Sequence, residues 1–166
     1  MELQIREMEE ADWNDVCRIY QHGIDTNLAT FTTCCPAYTD WDQAHFKKCR
    51  YVILQEKTVV GWAVLSPVSL KGAYSGVAEI SIYIDEKHKG MGVGTKLMNH
   101  MIQESEKNGF WLLESLIFQN NPASLRLHEK CGFREVGYRE KMGKDKYGTW
   151  RNVVLMEKRS SLNEFN

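Results

Sequence analysis

Three glycines spaced two residues apart, Gly90, Gly92 and Gly94, stand between a strongly apolar segment and an amphipathic helical stripe. Glycine inside a helix costs roughly 1 kcal/mol against alanine. Three of them at a helix start therefore imply a demand on the backbone. Without a Cβ, the chain can turn tightly and bring its N–H groups close to an anion. Behind them Val93, Leu97, Met98, Met101, Ile102 and Ser105 fall on one helical face, and Gly109 stops the run. Such a helix points its unpaired N–H groups and its positive dipole end at one spot, which is the geometry of a phosphate site. The same text also suits a turn that only reverses the chain.

Two common phosphate loops fail on register. A P-loop needs Lys directly after its last glycine, but Gly94 is followed by Thr95-Lys96. A dinucleotide fingerprint from Gly90 or Gly92 requires a third glycine where Thr95 or Leu97 stands.

The rest of the chain alternates in type. Leu3 and Ile5 open a strand, and Asp12 is placed to cap a helix carrying Trp13, Val16, Cys17, Tyr20 and Ile24. After a loop over 27–38, a short helix starts at Thr39-Asp40 and is expected to reach about Cys49. Strands follow at 51–54 and 59–65, joined by a tight turn at Glu56-Lys57, and then at 77–84. A strand at 112–118 comes after the glycine-led helix. Asn121-Pro122 starts the last helix as N-cap and N1, with Cys131-Gly132 at its end. Segments 133–140 and 150–158 form a closing antiparallel pair, and the polar text from Ser160 is expected to fray. The order β-α-α-β-β-β-α-β-α-β-β predicts a mixed-sheet α/β domain.

On the strand before the glycines, Val77, Glu79, Ser81 and Tyr83 share one face, and Ala78, Ile80, Ile82 and Ile84 the other. A carboxylate on a sheet face that helices should cover is either solvated at an edge or placed to accept a proton from an ammonium. On the last helix Ser124, Leu127, His128 and Cys131 share a face, so His128 looks inward. It is either a packed histidine or a proton carrier with an ordinary pKa near 6.5.

Composition narrows the class. At 166 residues with 43% hydrophobic and 26% charged residues, the chain reads as one ordinary globular domain. A formal net charge of −1 argues against nucleic-acid and anionic-membrane partners. The stretch beginning Met1-Glu2-Leu3 is no signal peptide, and no apolar run has the length of a membrane span. The cysteines Cys17, Cys34, Cys35, Cys49 and Cys131 contain no C-x-x-C pair and read as reduced thiols of a cytoplasmic protein. The five histidines show no metal-ligand spacing, so no metal is expected.

Lys89-Gly90-Met91-Gly92-Val93-Gly94 resembles the Q/R-x-x-G-x-G/A signature of the GNAT N-acetyltransferase superfamily, with Lys89 where Gln or Arg is usual. The run Asn121-Pro122-Ala123-Ser124 through His128 to Gly132-Phe133 resembles that family's late motif N-x-x-[AS]-x-x-[LF]-Y-x-x-x-G-F, with His128 in the tyrosine position. Further text is similar to the phosphinothricin and methionine sulfoximine N-acetyltransferase branch: Ala29-Thr30-Phe31, Tyr38-Thr39-Asp40-Trp41, Tyr74 to Ile84, and Lys146 to Val153. The resemblance implies a GNAT fold over 1–159, a mixed and mostly antiparallel sheet of about six or seven strands flanked by about four helices, with 160–166 as a polar tail. It implies acetyl-CoA as cosubstrate, a small amine as acceptor, and a homodimer. The backbone of Lys89 to Thr95, with Met91 and Val93 among them, would hold the CoA pyrophosphate. Ile82, Tyr83 and Ile84 would bind the acetyl-pantetheine arm, and Asn121 and Ser124 the CoA chain. Glu79 is implied as the base and His128 as the donor to the leaving thiolate. Phe31, Lys71, Tyr74 and Glu79 are placed near the acceptor, although Phe31 and Tyr74 equally suit an aromatic core. Asn152 stands where many relatives carry Asp, and Lys71 where they often carry Arg. Two other readings remain: a different acceptor (a polyamine, an aminoglycoside or a peptide), and an acetyl-CoA-binding sensor without catalysis.

Overall fold

A computed structural model describes residues 2–165. Met1, at the head of the expected domain, and Asn166, the last residue of the expected tail, lie outside the described residues. The chain forms β1 (Leu3–Glu7), α1 (Trp13–Asp25), α2 (Tyr38–Ala44), β2 (Tyr51–Gln55), β3 (Thr58–Pro67) and β4 (Val77–Ile84). It continues through α3 (Val93–Lys107), β5 (Leu112–Phe118), α4 (Pro122–Lys130), β6 (Arg134–Lys144) and β7 (Trp150–Arg159). Short 3-10 turns join several of them. All seven strands belong to one sheet in the order β1-β2-β3-β4-β5-β7-β6. Every neighbouring pair is antiparallel except β4–β5. This is the mixed α/β sheet expected, with β7 inserted between β5 and β6.

The sheet buries both faces over its first half. On one side α3 lays Val93, Leu97, Met98 and Met101 against Ile53, Ala63, Ala78 and Ile80. On the other, α1 and α2 close Val16, Ile19 and Trp41 over Val52, Trp62 and Val64. The alternation read in β4 is borne out: Ala78 and Ile80 belong to the α3 core, and Tyr83 packs with the α1 cluster. The β2–β3 turn runs through Glu56 and Lys57 at φ 48 and 72, the positive pair that matches strand twist.

Four expectations change. Asp12 precedes α1 but makes no side-chain cap; its buried carboxylate takes both Arg6 amines, at 2.7 and 2.8 Å, and the Glu9 amide. A guanidinium fork outcompetes a single amide for the same oxygens. The second helix stops at Ala44 because residues 45–49 wrap around Arg50. That guanidinium bonds the Asp42 carboxylate and the carbonyls of Asp42, His45 and Phe46, and stacks on Trp41. The segment expected to fray is docked: Ser160 Oγ donates to Glu106 at 2.8 Å, and Phe165 lies against Trp111. Finally, Cys17 and Cys35 form a disulfide with Cα atoms 6.1 Å apart, leaving Cys34 exposed and Cys49 and Cys131 buried. The bond joins α1 to the far end of the 26–37 loop, a contact across 18 residues that spacing does not reveal.

Burial also pushes the Cys49 thiol up to about 11 and raises that of Cys131, so neither is a ready thiolate. Brief alkylation of the native protein without reductant is therefore expected to label Cys34 alone, with Cys49 and Cys131 reacting after unfolding. Cys17 and Cys35 should gain label only when reductant is added, as read by peptide mass. Labelling of Cys17 in the unreduced, unfolded protein would show the pair to be open.

Candidate active site

The parallel pair is brief. β4 and β5 face each other only at Val77–Leu112, Ala78–Leu113 and Glu79–Glu114. Beyond Glu79, β4 continues to Ile84 against β3, and beyond Glu114, β5 continues to Phe118 against β7. The two strands part, and the gap opens into a cleft of about 1040 Å³ bordered by residues 79–84 and 115–118. The phase of β4 decides which of its amides face the gap. Asp85 N–H donates to the Val60 carbonyl at 2.8 Å, and the β3–β4 register runs without a shift. In an antiparallel pair, alternate residues turn their N–H and C=O to the neighbour. Tyr83 therefore spends its backbone on Trp62, while Ile82 and Ile84 present theirs to the cleft. An extended acyl chain can pair with that edge as an added strand does.

At the outer end of the cleft the glycine loop meets α3. Gly90 and Gly92 sit at φ +74 and +80, and Gly92 is the N-cap residue. A Cβ at either would find open space, so the requirement is conformational. Gly94 is different: a Cβ there would lie 3.3 Å from the Leu127 side chain, so its size lets α4 close on α3. The first helical bond of α3 is from Lys96 N–H to the Gly92 carbonyl, leaving the amides of Val93, Gly94 and Thr95 without helical partners. Lys89, Gly90, Gly92, Gly94 and Thr95 line the cleft; Met91 is exposed outside its lining, and the Val93 side chain is buried in the core.

Glu79 stands where the strands part. Burial, and then the facing Glu114 carboxylate, raise its pKa above the ordinary carboxylate value. Among the described residues lining the cleft it is the one carboxylate. Beside it, Tyr83 lies flat on Trp62 with ring centroids 4.8 Å apart and leans on Tyr20 at 4.9 Å. Gly23 of α1 makes this possible, since a Cβ there would come within 2.7 Å of the Tyr83 ring.

From α4, Asn121 Oδ1 accepts the Ser124 amide at 3.2 Å, the N-cap read from the sequence, and its Nδ2 donates to the Leu28 carbonyl. His128 is 1% exposed, and its Nδ1 lies 2.7 Å from the Ser124 carbonyl. A carbonyl only accepts, so Nδ1 carries the proton and Nε2 presents a lone pair, which has no partner among the described residues. Burial lowers the His128 pKa, so its resting form is neutral.

The inner wall comes from the loop after α1, where residues 28–32 line the cleft. Phe31 packs edge-on to Phe118 at 4.7 Å and sits against Gly143 of β6. Asp145, at the β6–β7 hairpin tip, holds this loop. Its buried carboxylate accepts Asn27 Nδ2 at 3.0 Å, Arg151 Nε at 2.8 Å, and the amides of Tyr147 and Thr149. Arg151 also donates to the Asn27 carbonyl. Burial works against the Asp145 charge, yet these donors hold its pKa down to about 2. Sequence reading missed this clasp, which joins positions 118 residues apart. Ser81, read on the Glu79 face of β4, lines the cleft, as do Ser115 and Tyr20, which were not read as site residues. Lys71 and Tyr74 lie on the exposed turn before β4, outside the lining, whereas Phe31 is in it.

A splayed strand pair with an amide cradle at one end and a half-buried carboxylate at the other forms a cleft with room for a long phosphorylated acyl donor. The family model for the acetyltransferase (GNAT) family matches residues 9–133, so the chain belongs to that family. It is similar to the phosphinothricin N-acetyltransferase of Streptomyces viridochromogenes, 31% identical over 160 residues that cover 94% of this chain and 87% of that one. It also matches the L-methionine sulfoximine/L-methionine sulfone acetyltransferase of Salmonella typhimurium at 26% identity over 93% of both chains. Among solved structures, the GNAT superfamily phosphinothricin acetyltransferase of Sinorhizobium meliloti, determined with acetyl-CoA, superposes with a TM-score of 0.86. That match is 25% identical and covers 96% of this chain and 89% of the other. The protein is an acetyl-CoA-dependent N-acetyltransferase.

The clasp gives a direct expectation. Asp145→Asn removes the charge that orders Arg151 and Asn27, so the loop carrying Thr30 and Phe31 loosens while the glycine cradle is untouched. The KM for the acceptor amine is expected to rise about tenfold or more, with the Kd for acetyl-CoA within about twofold of wild type. Steady-state kinetics beside calorimetric titration separates the two. An equal loss on both would make Asp145 a general stability residue.

Proposed function

We propose that this enzyme acetylates the α-amino group of a small amino-acid-like acceptor of the phosphinothricin, methionine sulfoximine or methionine sulfone type, by direct attack in a ternary complex. The observation that carries this reading is the position of Glu79. It is half-buried at the point where β4 and β5 separate, and it is the single carboxylate among the described residues of the cleft. An α-amino group has an ordinary pKa near 8, so most of it is protonated at neutral pH. Glu79, made more basic by burial and by Glu114, takes that proton directly or through water. The neutral nitrogen then attacks the thioester carbonyl. Backbone N–H groups on the free edge of β4 receive the charge that builds on the carbonyl oxygen. The C–S bond breaks, the nitrogen gives up its second proton as the amide forms, and CoA leaves as a thiolate that takes up that proton. His128 holds its proton on Nδ1 and a lone pair on Nε2, so it serves this thiolate as a relay, returning a proton only after taking one up. The cysteines take no part: Cys49 and Cys131 are buried thiols, Cys17 and Cys35 are joined, and Cys34 lies outside the cleft lining.

Acceptor size and charge support the same reading. The inner end is walled by Phe31, Phe118, Met142 and Val153, with the hydroxyls of Thr30, Thr32 and Ser81. A polyamine calls for several carboxylates, and this end offers one. We assign the whole reaction to residues 1–159 and take the cytoplasm, where acetyl-CoA is supplied, as its compartment. For the assembly we favour a homodimer formed through the β6 side of the sheet. β6 is an edge strand with Val136, Tyr138 and Met142 exposed, and the hairpin beside it exposes Tyr147 and Trp150.

The test is initial-rate release of CoA thiol from acetyl-CoA over a panel of phosphinothricin, methionine sulfoximine, methionine sulfone, ordinary amino acids, spermidine, an aminoglycoside and a lysine peptide. Saturable release with the first three is expected; release with spermidine or peptide alone would overturn the acceptor assignment. With the preferred amine, Glu79→Gln should lower kcat by about 10²–10³-fold and keep acetyl-CoA binding.

The pH dependence follows from the same pair. Glu79 works deprotonated, so kcat/KM falls as pH drops through its pKa. The Glu114 charge helps to raise that pKa. Glu114→Gln is therefore expected to move the acid limb of the profile to lower pH. A limb that stays in place would assign it to another group.

A further inference from the structure

The charges along the cleft are sorted. Its one carboxylate, Glu79, is at the inner end, and its three lysine and arginine side chains, Lys89, Arg126 and Lys130, are at the outer end. None of these three has an ion pair or hydrogen bond among the described residues. In a chain of net charge −1, three unpaired cations beside one cavity are not a general surface property.

Their placement follows from packing. Leu127 of α4 touches the first turn of α3 at Gly94, where the added Cβ would be 3.3 Å from it. Arg126 precedes Leu127, and Lys130 lies one helical turn beyond Arg126, so the two share one edge of α4 beside the amide cradle. A pyrophosphate held by the amides of Val93, Gly94 and Thr95, with Lys89 at its side, already has its partners. The acyl arm runs inward from there, between β4 and β5. Whatever is attached to the far phosphate must leave outward, past α4. Glu129 lies between the two cations in sequence but is exposed and does not line the cleft. His88 does line it, and faces Asp85 at 3.5 Å.

We propose that Arg126 and Lys130 form a second anion subsite that grips the 3′-phosphate on the ribose of the donor, so that the enzyme distinguishes CoA thioesters from their dephosphorylated forms. This rests on acetyl-CoA being the donor. It goes further in giving the ribose phosphate its own protein partners, with Arg126 supplying a guanidinium fork suited to a terminal phosphate dianion and Lys130 a point charge.

The experiment compares CoA with 3′-dephospho-CoA by calorimetry, on wild type and on Arg126→Ala/Lys130→Ala, at two salt concentrations. Wild type is expected to bind CoA about tenfold or more tightly than dephospho-CoA, with the preference shrinking at high salt. In the double variant the ratio of the two dissociation constants should fall toward one, through loss on CoA alone. A melting curve of the variant within a few degrees of wild type shows that the fold is kept. Arg126→Lys should retain part of the preference. Equal binding of both ligands by wild type overturns the subsite and leaves the donor assignment standing, as does a variant that weakens on both alike. Failure to bind either ligand removes the donor assignment and the subsite together.

Discussion

The structure turns on where hydrogen bonding between β4 and β5 stops. Three facing pairs hold these parallel strands together, and after Glu79 and Glu114 they separate. A backbone edge in a protein interior requires partners, because each unpaired buried amide costs free energy comparable to a lost hydrogen bond. Here the outer neighbours, β3 and β7, each satisfy one side of β4 and β5 and leave the inner edges to a ligand. On the proposed function, the donor would complete a sheet that the chain leaves open, with its acyl end at the apex where Glu79 stands. The helices fit around this opening: α3 begins at one mouth, α4 closes on it through Leu127 and Gly94, and α1 gives up a side chain at Gly23 so that Tyr83 can lie flat.

That arrangement divides the labour between the two faces of the sheet. The α3–α4 side carries the amide cradle, the basic edge of α4, and His128. The α1 side carries Glu79, Ser81, Tyr83 and the loop with Thr30 and Phe31. The proposed function would bring donor and acceptor in from opposite faces, to meet at the gap between β4 and β5. As the proposed base, Glu79 would have to be charged to take a proton and yet basic enough to hold it. Partial burial beside Glu114 meets both conditions, since full burial would keep the carboxyl protonated, and full exposure would leave it a weak base.

What the sequence made legible is what short-range physics determines. Gly90, Gly92 and Gly94 were readable because a positive φ or a close helix contact excludes other residues, and Asn121-Pro122 because cap chemistry is local. The faces of β4 followed from a period of two, which marked Glu79, and the inward face of α4 followed from the helical period, which marked His128. Contacts across long separations were not legible. Nothing near Asp145 announces that it will hold Asn27, and Cys17 gives no sign of choosing Cys35 over Cys34. The separation of β5 and β6 by β7 is likewise a matter of topology. Local signals misled at Asp12 and near Cys49, where Arg6 and Arg50 offered stronger partners than a helix end does.

The clasp and the disulfide share a physical role. The loop over residues 26–37 lacks regular structure, and its ordering opposes folding by about 1–2 kcal/mol for each backbone unit fixed. Its near end is fixed by Asn27 on Asp145 and by Leu28 on Asn121, and its far end by Cys35 on Cys17. Between these anchors, Phe31 leans on Phe118 and Gly143, and the Thr30 hydroxyl accepts the Thr32 amide. This wall of the cleft is set by side-chain packing rather than by a regular element, and it stands apart from the glycine cradle and β4. Within one fold, the glycine end of the cleft is therefore built of backbone and the Phe31 end of a tethered loop. Substitutions that change the acceptor are expected in the loop and hairpin, while those that change the donor fall on the glycines and α4.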